Sequence, residues 1–104
     1  MNNAVYTIDE IKEIITPLAT KHGLNKVYVF GSYAKGNADG GSDIDLCIDA
    51  SSIERLFSLG SVYVDFEEAL GKNLDIVTLN SLKFNEDKEF VSNLEKDRVL
   101  IYEC

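Results

Sequence analysis

Basic residues are scarce in this sequence, and their scarcity argues against a protein that binds nucleic acid. Ten Lys and Arg residues stand against eighteen Asp and Glu residues, which gives a net charge of −8. A protein that held long DNA or RNA through its phosphates would need a basic stripe, so stable binding of long nucleic acid is not expected. An acidic surface suits a cationic partner instead, or divalent metal ions at a local cluster.

Cysteine and long apolar runs are scarce as well. The two cysteines, Cys47 and Cys104, give no sign of a secreted disulfide framework, so a free, reduced pair is expected. No apolar run approaches the roughly 18 residues of a membrane span, and the N-terminus lacks the basic and apolar regions of a signal peptide. A cytoplasmic protein without membrane contact is therefore expected.

Helix and strand patterns alternate along the 104 residues, which we interpret as one domain, 1–104. The first helix begins at a capping-box pair, Thr7 and Glu10, and Pro17 predicts a kink in it or its end. Two more helices are predicted over about 52–72, with Ser51 and Glu54 as a second capping pair, and over 85–96. Strands are predicted at 26–30, 42–49, 74–79 and 98–102. This alternation predicts a small α/β (α+β) domain with one sheet and helices packed on it.

The segment GSYAKGNADGGSDIDL, residues 31–46, carries two carboxylates inside an apolar strand. Side chains at positions i and i+2 of a strand project from the same face, so Asp43 and Asp45 lie side by side. Two carboxylates that close repel each other, and burial adds a further cost. A divalent cation relieves both, and Mg²⁺ prefers one or two protein carboxylates together with phosphate oxygens of a substrate.

A glycine and a serine precede this pair at the end of another predicted strand. Gly31 permits a sharp turn close to a ligand, and Ser32 can open a short helix whose free N–H groups face an anion. The segment is not a P-loop, because Asn37 and Ala38 stand where Lys and Ser or Thr are required. It is not an EF-hand loop either, since glycine and glutamate are missing at the required offsets after Asp43.

A third carboxylate, Asp75, lies in the apolar strand LDIVTL. If this strand neighbours the one that carries Asp43 and Asp45, the three acids converge. Three acids, two metal ions and a nucleoside triphosphate make up the two-metal arrangement for in-line nucleotidyl transfer.

The spacing of these elements, Gly31-Ser32, ten residues and then Asp43-Ile44-Asp45, resembles the signature of the nucleotidyltransferases of the polymerase-β superfamily. The short length, Asp75 and the terminal RVLIYE resemble the minimal nucleotidyltransferase (MNT) branch in particular. The resemblance covers nearly the whole chain. It implies the small nucleotidyltransferase fold, with one mixed sheet of about four strands.

The resemblance also implies roles for individual residues. Gly31 and Ser32, together with Lys35 and Ser42, would bind the nucleotide. Two Mg²⁺ ions would be held by the catalytic acids, which are Asp43, Asp45 and Asp75. Asp75 would also help to activate the acceptor hydroxyl as a base. Tyr33 and Lys35 stand where members often carry arginine, and Lys35 offers phosphate a point charge rather than a fork.

Many members of this branch resemble antitoxins that are paired with a HEPN-type ribonuclease toxin. The resemblance implies transfer of AMP from ATP to a hydroxyl of that toxin, expected to be a tyrosine. The alternative is a non-catalytic antitoxin that neutralises its partner by complex formation alone. Transfer to a small molecule such as an aminoglycoside is a third option, which resembling enzymes perform with an added domain.

Overall fold

A computed structural model describes residues 4–50 and 59–104 of the chain. These two stretches contain five helices and four strands, which match the predicted α/β class. In chain order they are α1 Ile8–Lys21, β1 Lys26–Phe30, α2 Gly31–Lys35, β2 Ile44–Asp49, α3 Leu59–Leu70, β3 Leu74–Thr78, α4 Leu79–Leu82, α5 Lys88–Asp97 and β4 Val99–Glu103.

Helix α1 begins at the predicted capping box. The Glu10 amide donates to the Thr7 hydroxyl at 3.0 Å, and the Thr7 amide donates to the Glu10 carboxylate at 2.8 Å. The helix runs past Pro17 to Lys21, so the prediction that it would end at Pro17 was wrong. Ile15 and Ala19, on either side of the proline, are fully buried, and their packing holds both halves of the helix against the core.

The four strands form one mixed sheet in the order β3-β2-β1-β4. Strand β1 pairs antiparallel with both β2 and β4, whereas β2 and β3 are parallel and joined through α3. A parallel pair requires such a crossover connection, because its two strands begin at the same edge of the sheet. Strands β2 and β3 therefore both begin where the predicted acids lie.

Helices cover the two faces of the sheet unequally. On one face, α1 and α3 enclose the main core, which includes Ile44, Leu46 and Ile48 from alternate positions of β2. On the other face, α4 and α5 cover a smaller cluster made of Phe30, Cys47, Leu82 and Leu94. This smaller cover buries Cys47, a free thiol, and leaves Asp45, the second residue of β2, half-buried.

The observed elements differ from the predicted ones in several places. Strand β2 begins at Ile44, two residues after the start of the predicted strand over 42–49, so Asp43 precedes the strand. The predicted helix over 52–72 corresponds to α3, which begins at Leu59, and the capping pair Ser51 and Glu54 lies outside the described residues. Helix α4 was not predicted, because four residues are too few for a helical period to show; Thr78 caps it by accepting from the Ser81 amide at 3.1 Å. None of the helices in the described stretches is long and apolar enough to cross a bilayer.

Candidate active site

The parallel ladder between β2 and β3 sets two of the predicted acids directly opposite each other. In its register Asp45 pairs with Asp75, and Ile44 pairs with Leu74. Opposed residues of neighbouring strands project from the same face, so the two carboxylates share the face that α5 covers in part. Asp43 is exposed and precedes the first residue of β2. The predicted adjacency of the strands is confirmed.

The carboxyl group of Asp45 is strained electrostatically. Burial first, and then the nearby charges of Asp75 and Asp43, together raise its pKa from the ordinary value of 3.8 to about 6. Asp75 and Asp43 therefore both lie within electrostatic reach of Asp45. A cation beside Asp45 would remove both causes, because it would replace lost hydration and neutralise the neighbouring charges.

Gly31 lies against the same carboxylate. Strand β1 ends at Phe30, and the chain turns into α2 through Gly31 with a left-handed φ of 71°. A methyl carbon on Gly31 would overlap the Asp45 Oδ2 and would lie 3.0 Å from its Cγ. Glycine is therefore required here twice, for the backbone turn and for the space that the carboxylate fills.

A cavity of about 270 Å³ opens beside these residues. Its walls are the β1–α2 junction, the acid-bearing ends of β2 and β3, and one side of α5. The lining residues are Phe30, Gly31, Lys35, Asp45, Asp75, Phe90, Asn93, Leu94 and Asp97. A concave site with convergent charged groups on an apolar base is typical of a small-ligand site.

Helix α2 divides its side chains between this cavity and the core. Lys35 lines the cavity, where its Nζ lies 3.7 Å from the Asp97 Oδ2 of α5. Tyr33 is buried in the main core and takes no part in the cavity wall. Of the two positions where members of the family often carry arginine, only Lys35 therefore offers a positive charge to this site.

Four of the predicted site residues line the cavity and three do not. Gly31, Lys35, Asp45 and Asp75 belong to the lining. Ser32 is half-buried in the first turn of α2, beside the lining, and Asp43 is exposed at the entrance to β2. The Ser42 hydroxyl accepts from the Asp39 amide at 2.9 Å and donates to the Asp39 carboxylate at 3.3 Å, so in this structure it closes a turn.

Helix α5 supplies cavity residues that the sequence reasoning missed. Phe90, Asn93 and Asp97 recur at helical spacing on one side of α5, and the Phe90 ring packs edge-to-face on Phe30 with centroids 6.1 Å apart. The helical period of this segment was visible in the sequence. It could not indicate which side of α5 faces the acids, because that depends on how the helix lies across the sheet.

The donor set at this site fits Mg²⁺. Within residues 4–50 and 59–104, no three His, Cys, Asp or Glu side chains lie close enough together to hold a metal ion by themselves. Mg²⁺ does not require such a cage, because it is usually held by one or two carboxylates while water and substrate phosphate complete its coordination. The Asp45–Asp75 pair, with the raised pKa of Asp45, provides the two carboxylates.

Comparison with known sequences points to one family. The family model described as polymerase beta, nucleotidyltransferase matches residues 12–104. Protein adenylyltransferase MntA of Thermococcus cleftensis is 34% identical over 84 residues, which cover 77% of this chain and 85% of the relative. A Methanocaldococcus jannaschii protein, provisionally named a protein adenylyltransferase, is 37% identical over 93 residues, which cover 89% of this chain and 90% of the relative.

Solved structures share the fold. A chain in the crystal structure of a toxin–antitoxin with AMP-PNP superposes with a TM-score of 0.70 at 21% identity, over 89% of this chain and 73% of that chain. A chain in the complex of the tri-AMPylated Shewanella oneidensis HEPN toxin with its MNT antitoxin gives a TM-score of 0.65 at 18% identity, over 94% and 74%. These superpositions confirm the predicted nucleotidyltransferase fold.

Proposed function

The chain belongs to the polymerase beta nucleotidyltransferase family, and from this premise we propose that it transfers AMP from ATP to a hydroxyl of a HEPN-type toxin and so acts as an antitoxin. The proposal includes Mg²⁺ dependence and a tyrosine as the acceptor. It is supported by a relative named protein adenylyltransferase and by a structural neighbour from a complex of a tri-AMPylated HEPN toxin with an MNT antitoxin.

The observation that carries the proposal is the pairing of Asp45 with Asp75 beside Gly31. The parallel register holds the two carboxylates together, and burial, followed by the charges of Asp75 and Asp43, raises the pKa of Asp45. A structural role alone would not account for two repelling acids at the wall of a cavity. A metal ion bound there with a nucleotide would relieve the repulsion between the two carboxylates, and this relief would favour binding.

In the proposed site Asp45, Asp75 and Asp43 would hold two Mg²⁺ ions. The ions would supply positive charge to stabilise the triphosphate during the transfer. Lys35, which lines the same cavity, would contribute a positive charge to the phosphates. Ser32, in the first turn of α2, is a proposed hydrogen-bond donor to the nucleotide. Ser42, beside Asp43, is the second; its hydroxyl donates to Asp39 in this structure and would have to turn from Asp39 to the nucleotide.

The transfer step then follows from the positions of the acids. The acceptor oxygen attacks the α-phosphorus of ATP and forms the new P–O bond. The bond from the α-phosphorus to the bridging oxygen breaks, and pyrophosphate leaves. The hydroxyl proton passes to a carboxylate oxygen of Asp75, which is exposed at the edge strand β3 and open to an incoming acceptor.

The charge of the chain supports a protein partner that is cationic. A net charge of −8 on 104 residues attracts a positively charged surface, and a toxin that acts on RNA would carry one. Complex formation between the two proteins should therefore weaken as salt is raised. Transfer to a protein acceptor also agrees with a cavity whose outer edge, at Asp75, is exposed.

Incubation of the chain with labelled ATP, Mg²⁺ and the product of the neighbouring reading frame tests the proposal. Label should appear on the partner and disappear with Asp43→Asn, while the exposed Asp9→Asn on α1 should behave as the wild type. Growth rescue measures the antitoxin role in parallel. If an Asp43→Asn/Asp45→Asn variant neutralises the toxin fully and the wild type never transfers label, the chain is a binding antitoxin and the enzymatic proposal is wrong.

A further inference from the structure

Lys72 is the one charged side chain that is buried within the described stretches of the chain. It lies in the turn between α3 and β3, three residues before Asp75, and is 3% exposed. Burial of an ammonium group is costly unless hydrogen bonds compensate it. Lys72 lies near the end of β3 that carries Asp75, not in a remote part of the core. The hydrogen bonds of its ammonium group can therefore affect how the acids are positioned.

The ammonium group reaches across to the segment that leads into β2. Its Nζ donates to the Gly40 carbonyl at 3.1 Å, and Gly40 lies three residues before Asp43. A second hydrogen bond joins residues that lie nearer to the acids in the chain: the Ile44 amide donates to the Asn73 carbonyl, also at 3.1 Å. Two hydrogen bonds thus join the segments from which the acids of both strands emerge.

The β2 side of this connection is a closed turn over residues 39–42. The Asp39 carboxylate accepts from the Gly41 amide at 2.9 Å and from the Ser42 hydroxyl at 3.3 Å. The Ser42 amide donates to the Asp39 carbonyl at 3.1 Å. Because the turn is bonded to itself, a contact at Gly40 fixes all of it as one unit.

Asp43 depends on that unit more than Asp45 does. Asp45 lies inside β2, where the ladders to β1 and β3 hold its backbone. Asp43 lies before the first residue of the strand, directly after the turn. We infer that Lys72 is a positioning residue, which holds Asp43 in register with the Asp45–Asp75 pair by anchoring the 39–42 turn to the start of β3. This inference rests on the proposed metal and nucleotide site.

The test compares Lys72→Met, which keeps the length of the side chain, with Lys72→Arg, which keeps its charge, and with Lys12→Met at an exposed position on α1.

Two measurements on these variants do not depend on enzymatic turnover. Amide exchange at Ile44 in the ligand-free protein should accelerate about tenfold in Lys72→Met. Binding of Mn²⁺ in the presence of AMP-PNP, followed by electron paramagnetic resonance, should weaken about tenfold. Lys12→Met should match the wild type, and Lys72→Arg should lie closer to it than Lys72→Met.

Asp39→Ala keeps the inference testable if Lys72→Met does not fold. Asp39 is exposed, so its removal spares the core while it opens the turn from the other side. Weaker Mn²⁺ binding and faster exchange at Ile44 in this variant would support the inference. Normal exchange and normal Mn²⁺ binding in folded Lys72→Met or in Asp39→Ala would overturn it. Failure of AMP transfer to any protein would contradict the proposed function and leave both readouts interpretable.

Discussion

The Asp45 carboxylate occupies the space that a side chain on Gly31 would fill. This contact joins the two halves of the signature segment, although fourteen positions separate the two residues in the chain. Gly31, directly after β1, therefore leaves space for the Asp45 carboxylate and also permits the backbone turn into α2. Any larger residue would displace the carboxylate that the proposed metal site needs most.

Gly31 must adopt a left-handed backbone conformation and must also leave space for the Asp45 carboxylate. Comparison of Gly31→Ala with the control Gly36→Ala separates these two requirements. Both glycines have a left-handed φ, 71° and 78°, but nothing lies within 4 Å of a methyl carbon on Gly36. Gly36→Ala should cost about 1 kcal/mol of stability through backbone strain. Gly31→Ala should cost about 1–3 kcal/mol more through overlap with Asp45, and should lower transfer activity about 100-fold.

Urea denaturation and single-turnover transfer measure these two effects. Equal stability and equal activity in Gly31→Ala and Gly36→Ala would contradict the close approach of Gly31 to Asp45.

Removal of the Asp45 charge should stabilise the metal-free protein at neutral pH. The pKa of this carboxyl is raised to about 6, so the folded chain binds its proton more tightly than the unfolded chain does. The associated stability is present below about pH 4 and is lost as the pH rises through about 6. At pH 7, Asp45→Asn should therefore gain about 1 kcal/mol, after allowance for solvent screening at a half-buried site.

Thermal unfolding between pH 5 and 8 without metal tests this prediction and stays above the isoelectric point of about 4.5. Glu68→Gln, at an exposed position on α3, is the matched control. Added Mg²⁺ should stabilise the wild type and leave Asp45→Asn largely unchanged. A lower midpoint for Asp45→Asn than for the wild type at pH 7 would show that Asp45 is not under electrostatic strain.

Asp65 should contribute stability with the opposite dependence on pH. Its carboxylate accepts from His22 Nε2 at 2.7 Å and from Lys21 Nζ at 3.1 Å, which links the end of α1 to α3. These hydrogen bonds, His22 first, lower the pKa of Asp65 from 3.8. The contribution of Asp65 to the free energy of unfolding is present above the pKa that this carboxyl has in the unfolded chain. It is lost as the pH falls through the lower pKa of the folded protein.

Asp65→Asn should accordingly unfold at lower urea than the wild type at pH 7, and the difference should shrink below about pH 4. Urea titrations at both pH values, with the midpoints compared, are the measurement. A difference that stays constant into acid would assign the effect of Asp65 to packing rather than to its charge.

The Lys35–Asp97 ion pair should regulate the affinity for the triphosphate. Lys35 faces the cavity but is engaged by Asp97, which adds a third carboxylate to the wall. Lys35→Met should weaken ATP binding about two- to fivefold, and Asp97→Asn should strengthen it by a similar factor. In the double variant Lys35→Met/Asp97→Asn, the Asp97 substitution should increase the affinity for ATP less than it does alone, because no lysine remains to be released from Asp97. Equilibrium titration with AMP-PNP and Mg²⁺ tests all three variants; full additivity would show that the pair does not act on the nucleotide.

The strand positions of Asp45 and Asp75 were predictable from the sequence, because each acid interrupts an apolar strand pattern. Asp43 was predicted on the same strand as Asp45, but in the structure it is exposed and precedes the first residue of β2. The alignment of Asp45 with Asp75 was not predictable, since it depends on the register between β2 and β3. A shift of one residue would have turned Asp75 to the other face.

The rest of the site required the fold. Asn93 and Asp97 read as ordinary polar positions of an amphipathic helix, and only the placement of α5 across the sheet brings them to the cavity. Lys72 falls at the end of the predicted helix over 52–72, where nothing in the local sequence marks it as buried; in the structure its Nζ donates to the Gly40 carbonyl, thirty-two residues earlier. Such long-range contacts leave no periodic pattern in the sequence.

Transfer from ATP labelled at either the α- or the γ-phosphate tests the central claim most directly. With Mg²⁺ and the HEPN-type partner, the account predicts label on the partner from α-labelled ATP only, because pyrophosphate carries the γ-phosphate away. The signal should be lost in Asp45→Asn and in Asp75→Asn, and retained in Asp9→Asn. Label from γ-labelled ATP, or undiminished transfer by Asp45→Asn, would contradict the account.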